Sequence, residues 1–185
     1  MKSRPIALPV FKSGRWYDDF AVTGASDPGY SLVGAKESTS GILLKATTGT
    51  SSDLSLPPWL NFKNFEAEMI SRLISGTQTL MQFRYLNGSN RLFITINSSG
   101  NLLLTKGVGG TYTVLGSISG VSYGSWNRIG LRAVGLLVEV FLNGIKKISV
   151  TEIDNINNAG LIISSYNPTI GIAQSEFQYL AIKPL

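Results

Sequence analysis

Hydrophobic and polar residues alternate with a period of two along most of this chain. The clearest alternating runs cover residues 65–69 and 91–97, and further strands are indicated at residues 80–86 and 102–106. Turns rich in Gly, Asn or Ser follow the last three of these segments along the chain. Successive side chains of a strand point to opposite faces of a sheet, so the pattern predicts half-buried β-strands. No segment has helical periodicity over a useful length. We therefore expect about ten or more antiparallel strands and less than about a tenth helix.

The sharpest turn signal is Asn143-Gly144, which lies between two apolar runs at residues 136–142 and 145–150. Both central residues of a type I′ hairpin turn need positive φ, which Asn and Gly tolerate. The preceding strands, at residues 126–133 and 136–142, place alternate apolar residues toward one face. The predicted core residues of these strands are Ile129, Leu131, Val138, Val140 and Leu142.

Composition agrees with an all-β chain and narrows its chemistry. Charged residues make up only 15% of the 185 residues, below the roughly 25% of typical soluble domains, and there are 20 glycines. The chain has no cysteine and no histidine. This excludes disulfides, Cys or His zinc sites, and Cys–His or Ser–His nucleophile pairs. Carboxylates, Tyr and Lys remain as candidates for catalysis.

The net charge of +5 is concentrated at the N-terminus, where Lys2, Arg4, Lys12 and Arg15 precede the first acid, Asp18. The rest of the chain is nearly neutral, so we expect no nucleic acid on the sandwich. We predict that residues 1–15 form an extended basic arm that binds other protein subunits. Its proposed contact residues are Lys2, Arg4, Ile6, Leu8, Val10 and Phe11.

The same segment does not have the pattern of a secretory signal. Pro5 and Pro9 interrupt its short apolar run, and Lys12 follows at once. We expect no signal peptide. No other segment has the roughly 18 apolar residues of a membrane-spanning helix, so we also expect no membrane span.

Several ordered segments carry a family resemblance that covers residues 16–185. They are Asp18-Asp19-Phe20, Asn64-Phe65-Glu66-Ala67-Glu68, Phe83-Arg84-Tyr85, Asn90-Arg91-Leu92-Phe93, Trp126-Asn127-Arg128-Ile129 and the run from Val138 to Gly144. Their order and spacing resemble those of the concanavalin A-like and laminin-G-like domains. The resemblance implies a two-sheet antiparallel jelly-roll sandwich with one concave sheet. Members of this superfamily include lectins, glycan-binding modules, glycoside hydrolases and structural domains, so the fold alone does not settle function.

Two acidic segments are candidate catalytic sites. Glu152-Ile153-Asp154-Asn155-Ile156-Asn157 is similar to the E-x-D-x-x-E strand of glycoside hydrolases on this fold, but Asn157 replaces the second Glu. Glu66 and Glu68 lie on one face of a predicted strand, about 6–7 Å apart. We interpret the first segment as a coincidence and the second as a solvated strand face with Arg72 and Arg84 as neighbours. The chain is therefore expected not to be an enzyme.

A structural calcium ion is an alternative that the resemblance raises, since related sandwiches often bind one. The candidate ligands are Asp18, Asp19, Asp27, Asp53 and Glu176. Calcium takes six to eight oxygen ligands, and no compact acidic loop of the sequence supplies them. The expectation is no cofactor and no metal.

The predicted binding surface is the outward face of two adjacent strands. If Leu92, Ile94 and Ile96 point to the core, then Arg91, Phe93, Thr95 and Asn97 point outward. If Met81, Phe83 and Tyr85 point inward, Gln82 and Arg84 point outward beside them. Such polar side chains suit sugar hydroxyls, although a solvated sheet carries them too. The predicted carbohydrate-binding residues are Gln82, Arg84, Arg91 and Asn97, with Tyr166 or Trp59 as a stacking platform.

The sequence thus favours a non-enzymatic binding or adhesion module directed to glycans. We expect it to act as an accessory subunit of a larger assembly, and the pattern is compatible with a phage virion or another particle surface. One alternative is a purely structural assembly protein without a ligand. The other is a glycoside hydrolase with an unrecognised carboxylate pair.

Overall fold

The computed structural model describes residues 10–12, 15–18, 31–32, 35–38, 41–47, 51–55, 62–76, 78–166 and 172–185. Strands before Ser51 are described through their backbone. The described residues contain strands and turns and no helix. A helical membrane span is accordingly absent from this described part of the chain.

Nine of the described strands form one antiparallel sheet. They are β1 (Val10–Lys12), β2 (Arg15–Asp18), β4 (Ala35–Ser38), β5 (Gly41–Thr47), β7 (Phe65–Ser75), β12 (Asn127–Val134), β13 (Leu137–Leu142), β14 (Ile145–Thr151) and β16 (Ile172–Pro184). The main path runs β1-β2-β16-β7-β12-β13-β14, and β5 pairs with both β16 and β4. The long strands β7 and β16 therefore form the middle of this sheet.

Seven strands form the second antiparallel sheet. They are β3 (Ser31–Leu32), β6 (Ser51–Ser55), β8 (Gln78–Asn87), β9 (Asn90–Asn97), β10 (Asn101–Val108), β11 (Thr111–Ser119) and β15 (Leu161–Tyr166). Their order is β11-β10-β9-β8-β15-β6-β3. The predicted two-sheet antiparallel sandwich is confirmed.

The core lies between the two sheets and follows the alternation of the sequence. In β7 every second side chain from Phe65 to Leu73 is buried, and in β9 Leu92, Ile94 and Ile96 are buried. These two strands therefore each contribute one apolar row to the core. The five core residues predicted on β12 and β13 are all buried: Ile129, Leu131, Val138, Val140 and Leu142.

The predicted hairpin between β13 and β14 is also confirmed. Asn143 has φ 52° and Gly144 has φ 81°, as a type I′ turn requires. The side-chain oxygen of Asn143 accepts a hydrogen bond from the backbone N–H of Arg128 at 2.9 Å. The turn is therefore tied to the neighbouring strand β12 as well as to its own hairpin.

Part of the predicted N-terminal arm belongs to the sandwich. Val10 and Phe11 lie in β1 and pair with Tyr17 and Trp16 of β2, in the nine-stranded sheet of this same chain. Backbone pairing at the sheet edge therefore holds these two residues to their own domain, and their predicted contact with other subunits stays a prediction. Lys2, Arg4, Ile6 and Leu8 lie outside the described residues, and their role stays a prediction.

Candidate functional site

The outer face of the seven-stranded sheet carries a groove of about 430 Å³. It crosses β6, β15, β8 and β9 and reaches β11, and so runs across the strands. The lining residues are Ser51, Asp53, Leu80, Gln82, Tyr85, Gly88, Arg91, Phe93, Tyr112 and Tyr166. Three of the predicted site residues, Gln82, Arg91 and Tyr166, are brought together here.

A chain of hydrogen bonds fixes the polar floor of the groove. The Gln82 amide nitrogen donates to Ser164 Oγ at 2.6 Å, and the Gln82 amide oxygen accepts from Arg91 Nη1 at 2.5 Å. The chain joins three adjacent strands, β15, β8 and β9. Gln82 is buried at 3% exposure, whereas Arg91 is half-buried. The guanidinium is therefore held in one position by its neighbour.

Aromatic rings hold the same guanidinium from other directions. Its central carbon lies 5.0 Å from the ring centre of Phe93 and 5.8 Å from that of Tyr112, within the range of cation–π contacts. The two rings meet edge to face at 5.9 Å. Gly107 lies on β10, between the strands that carry Phe93 and Tyr112. A Cβ at this position would lie 2.9 Å from Cε1 of the Tyr112 ring. The glycine is thus needed for the Tyr112 ring to lie across the sheet.

Two polar atoms of groove residues are buried without a hydrogen-bond partner: Asp53 Oδ1 and Arg91 Nε. The other carboxylate oxygen of Asp53 accepts from Ser51 at 2.9 Å. An unsatisfied buried polar atom costs about 1–3 kcal/mol.

Arg84 does not belong to this surface, and the prediction that it points outward is wrong. Its side chain is fully buried, and its Nη2 donates to the carbonyl oxygens of Gly135 at 2.5 Å and Lys63 at 3.5 Å. Burial lowers the pKa of Arg84 from its ordinary value, although the charge of Glu152 acts in the opposite direction. Arg84 therefore links β8 to turns beside the opposite sheet.

The cause is a bulge that breaks the alternation of β8. Phe83 pairs with Leu92 and Asn87 pairs with Asn90, so three residues of β8 stand opposite one residue of β9. Arg84 has φ 45°, in the left-handed region that non-glycine residues seldom adopt. Beyond the bulge Tyr85 lines the groove, and the expectation that it points inward is also wrong.

Asn97 serves a turn and does not line the groove. Its side-chain oxygen accepts backbone N–H groups of Ser99 and Asn101, each at 3.1 Å. This is the local bonding that Asn favours in turns. Trp59, the other predicted platform, lies outside the described residues. The predicted set therefore divides into three groove residues, one buried linker and one turn residue.

Sequence reasoning missed several groove residues. Phe93 was expected to face outward but was not assigned to the site, and Asp53 was considered only as a calcium ligand. Tyr112 lies on the edge strand β11, whose place beside β10 and β9 fixes its contact with Arg91. The alternation of Tyr112-Thr113-Val114 was the available signal, but the strand order was needed to place it.

The hydrolase-like segment at residues 152–157 forms a loop after β14 and no strand. Glu152 is buried, accepts the backbone N–H of Asp154 at 2.7 Å and lies 3.3 Å from Lys106 Nζ. Lys106 also bonds to Asp154, which lowers the pKa of that carboxyl. Asn155 donates its amide to the Gly107 carbonyl at 3.1 Å. These contacts close one end of the sandwich.

Glu66 and Glu68 face outward on the other sheet, and both are paired with cations. Arg128 contacts Glu68 at 2.8 Å, while Arg132 and Lys183 lie 3.5 and 3.9 Å from Glu66. These cations differ from the expected neighbours, Arg72 and Arg84, because the adjacent strands are β12 and β16. This face is a ladder of ion pairs.

The two described calcium candidates lie on different sheets. Asp53 is in the groove, and the buried Glu176 accepts Arg72 Nη2 at 2.7 Å. Among the described residues, no group of three or more acidic side chains could hold a metal ion. The Asp18 side chain, Asp19 and Asp27 lie outside the described part.

Comparison with known proteins identifies the fold. No protein-family model matches the sequence, and no curated protein sequence matches it either. Solved structures do match, and they share the two-sheet jelly roll. The chain has the concanavalin A-like fold. Because the matches are below 25% identical, they show this fold and leave function open.

Three of the matching structures illustrate how different the proteins with this fold are. The carbohydrate-binding module CBM66 from Bacillus subtilis has a TM-score of 0.67 at 12% identity, covering 81% of this chain and 92% of its own. The metal-free Emp46p carbohydrate recognition domain has 0.70 at 12%, covering 89% and 93%. The catalytic domain of an endo-1,3-beta-glucanase (laminarinase) from Thermotoga petrophila has 0.70 at 10%, covering 90% and 95%.

The buried position of Arg84 leads to a stability prediction. Arg84→Ala should lower the free energy of unfolding by about 2–3 kcal/mol, because two backbone carbonyls lose a charged donor inside the sandwich. The midpoint should fall by roughly 4–12 °C in thermal denaturation followed by circular dichroism. Arg128→Ala, at an exposed ion pair, is the matched control and should cost about 0–1 kcal/mol. Equal effects of the two substitutions would contradict the structural role of Arg84.

Proposed function

We propose that this chain is a non-enzymatic glycan-binding module whose ligand lies in the groove of the seven-stranded sheet. The observation that carries the proposal is the combination in one groove of aromatic rings with fixed amide and guanidinium groups. Tyr85, Tyr112 and Tyr166 offer apolar ring faces, and Gln82 and Arg91 offer planar hydrogen-bonding groups. Sugars have both matching features, an apolar ring face and a rim of hydroxyls.

Binding fits the groove better than hydrolysis does. Glycoside hydrolysis on two carboxyls needs them about 5–9.5 Å apart across the bond. Among the described residues that line the groove, Asp53 is the one carboxylate. Glu66 and Glu68 are on the opposite sheet, and Glu152 is buried in a loop. A binding function needs no such pair.

The structural neighbours are consistent with this proposal but do not decide it. CBM66 is a carbohydrate-binding module and the Emp46p domain is a carbohydrate recognition domain, whereas the laminarinase domain is catalytic. Proteins with this fold therefore include both carbohydrate-binding modules and catalytic domains. The residues of this chain's own groove favour carbohydrate binding without catalysis.

Glycan binding should depend on Arg91 and Tyr166. We expect protein clustered on beads to bind members of a glycan array and the monomer to bind them faintly, since many weak sites act together. Arg91→Ala should weaken binding at least about ten-fold, because a hydrogen bond to a charged group contributes about 1.5–3 kcal/mol. Tyr166→Ala should weaken it about two- to ten-fold through loss of ring packing.

The control for this experiment is Arg128→Ala, which removes one arginine from the opposite sheet and should leave binding unchanged. The thermal midpoint of each variant is measured, and binding is compared among variants whose midpoint equals that of the wild-type protein. If the clustered protein binds no glycan, the purely structural alternative becomes the better proposal. If Arg128→Ala weakens binding as much as Arg91→Ala does, the groove is not the site.

The absence of catalysis is a separate prediction. We expect no release of reducing ends from β-glucans, galactans or related polymers over a long incubation. Glu152→Gln and Glu66→Gln should leave glycan binding intact, because neither side chain lines the groove. Measurable turnover that either substitution abolishes would establish the hydrolase alternative.

We further propose that the chain is an accessory subunit held in a larger assembly, such as a phage particle, by its N-terminal segment. The reason is the charge of the sequence, in which Lys2 and Arg4 stand among apolar residues with no acid before Asp18. An extended segment of this kind suits pockets along a neighbouring subunit.

Deletion of residues 2–9 tests this role and keeps β1 in place. The shortened chain should fold with an unchanged circular dichroism spectrum and lose its association with other subunits in sedimentation velocity. The matched variant replaces Lys2 and Arg4 with Ala and should weaken association in part. Unchanged association after the deletion would contradict the proposal.

A further inference from the structure

The guanidinium of Arg91 is a cation without a carboxylate partner among the described residues. Eight ion pairs occur there, and they use Arg72, Lys106, Arg128, Arg132, Lys146 and Lys183 as cations. The partners of Arg91 are instead the neutral oxygen of Gln82 and two aromatic rings. The charge of Arg91 is therefore positioned but not neutralised.

The acid of the groove is too far away to neutralise this charge. Asp53 lies on β6, and β15 and β8 separate that strand from β9. Three strand spacings of about 4.8 Å place the two backbones roughly 14 Å apart. An ion pair needs its charged nitrogen and oxygen within about 4 Å of each other. The two charges therefore mark opposite ends of the groove.

The position of the guanidinium leaves it able to bind a ligand. One N–H of Nη1 is engaged by Gln82, and Nε is buried without a partner, so the other N–H of Nη1 and the two of Nη2 remain for a ligand. The side chain remains half-buried at the groove surface, between Phe93 and Tyr112. A planar guanidinium binds carboxylate and sulfate oxygens through paired, charge-assisted hydrogen bonds, which are about twice as strong as neutral ones.

We infer that the groove takes an anionic saccharide, with a carboxylate or sulfate group of one sugar against Arg91. This inference rests on the proposed glycan-binding function and adds the chemical class of the ligand. The acidic group binds at the β9–β11 end, where the cation has no counter-charge. Neutral sugar units extend from there toward Tyr166 and Asp53 on β15 and β6.

Binding to matched oligosaccharides tests the inference. Clustered protein is titrated with an oligogalacturonate for the carboxylate, a carrageenan oligosaccharide for the sulfate and a laminari-oligosaccharide as the neutral probe, all of equal length. At least one anionic probe should bind about ten-fold tighter than the neutral one, and its advantage should shrink as salt rises. The two anionic arms show which group the site recognises.

Substitutions separate Arg91 from the net positive charge of the chain. Arg91→Gln should abolish the preference for the anionic probe, and Arg91→Lys should retain part of it, because lysine keeps the charge but not the planar fork. Arg128→Ala and Lys147→Ala remove the same charge elsewhere and should keep the preference. Thermal midpoints are measured for all four variants.

The outcomes distinguish this inference from the function on which it rests. If the neutral probe binds as tightly as both anionic probes, the inference is wrong and the glycan-binding function stands. If Arg128→Ala or Lys147→Ala reduces the preference as much as Arg91→Gln does, the attraction is non-specific and the inference is again wrong. If none of these probes and no glycan on the array binds, both proposals fail.

Discussion

The structure depends on the two-residue alternation of apolar residues along its strands. A shift of one residue in any of these strands would move its apolar row from the core to the surface. The apolar rows of β7, β9, β12 and β13 therefore fix the register of both sheets and, with it, the residues that face outward. Gln82, Phe93 and Arg91 reach the same surface because Met81, Phe83, Leu92 and Ile94 fill the core.

One exception to that alternation shapes the groove. At the bulge in β8, Arg84 turns into the sandwich and Tyr85 takes an outward position in the groove. The buried arginine reaches Gly135 and Lys63, so one side chain fixes both the end of the sandwich and the course of the strand beside the groove. Bulges commonly re-aim a side chain next to a functional surface. The hydrogen bonds of Arg84 give the physical reason for it here.

Much of this could be predicted from the sequence, because the evidence for it is local. The alternation predicted the strands and the five core residues on β12 and β13, and Asn143-Gly144 predicted the hairpin. The alternation also predicted that Gln82 and Arg91 lie on one outward face. The bulge could not be predicted, since Phe83-Arg84-Tyr85 alternates without a break and only contacts distant in sequence make the inward Arg84 favourable. Tyr112 and Asp53 join the groove through the order of strands in the sheet, which alternation does not encode.

The hydrogen-bonded chain from Ser164 through Gln82 to Arg91 has a consequence for conformational entropy. A free arginine side chain loses up to about 2 kcal/mol of rotamer entropy when it is fixed, and a glutamine loses a similar amount. Here that loss occurs when the protein folds, because the chain and the rings of Phe93 and Tyr112 already hold the guanidinium. A ligand would meet side chains in a single arrangement, so little of its contact energy would be spent on ordering the surface. A shallow groove on a rigid sheet can thus bind selectively without any loop closing over it.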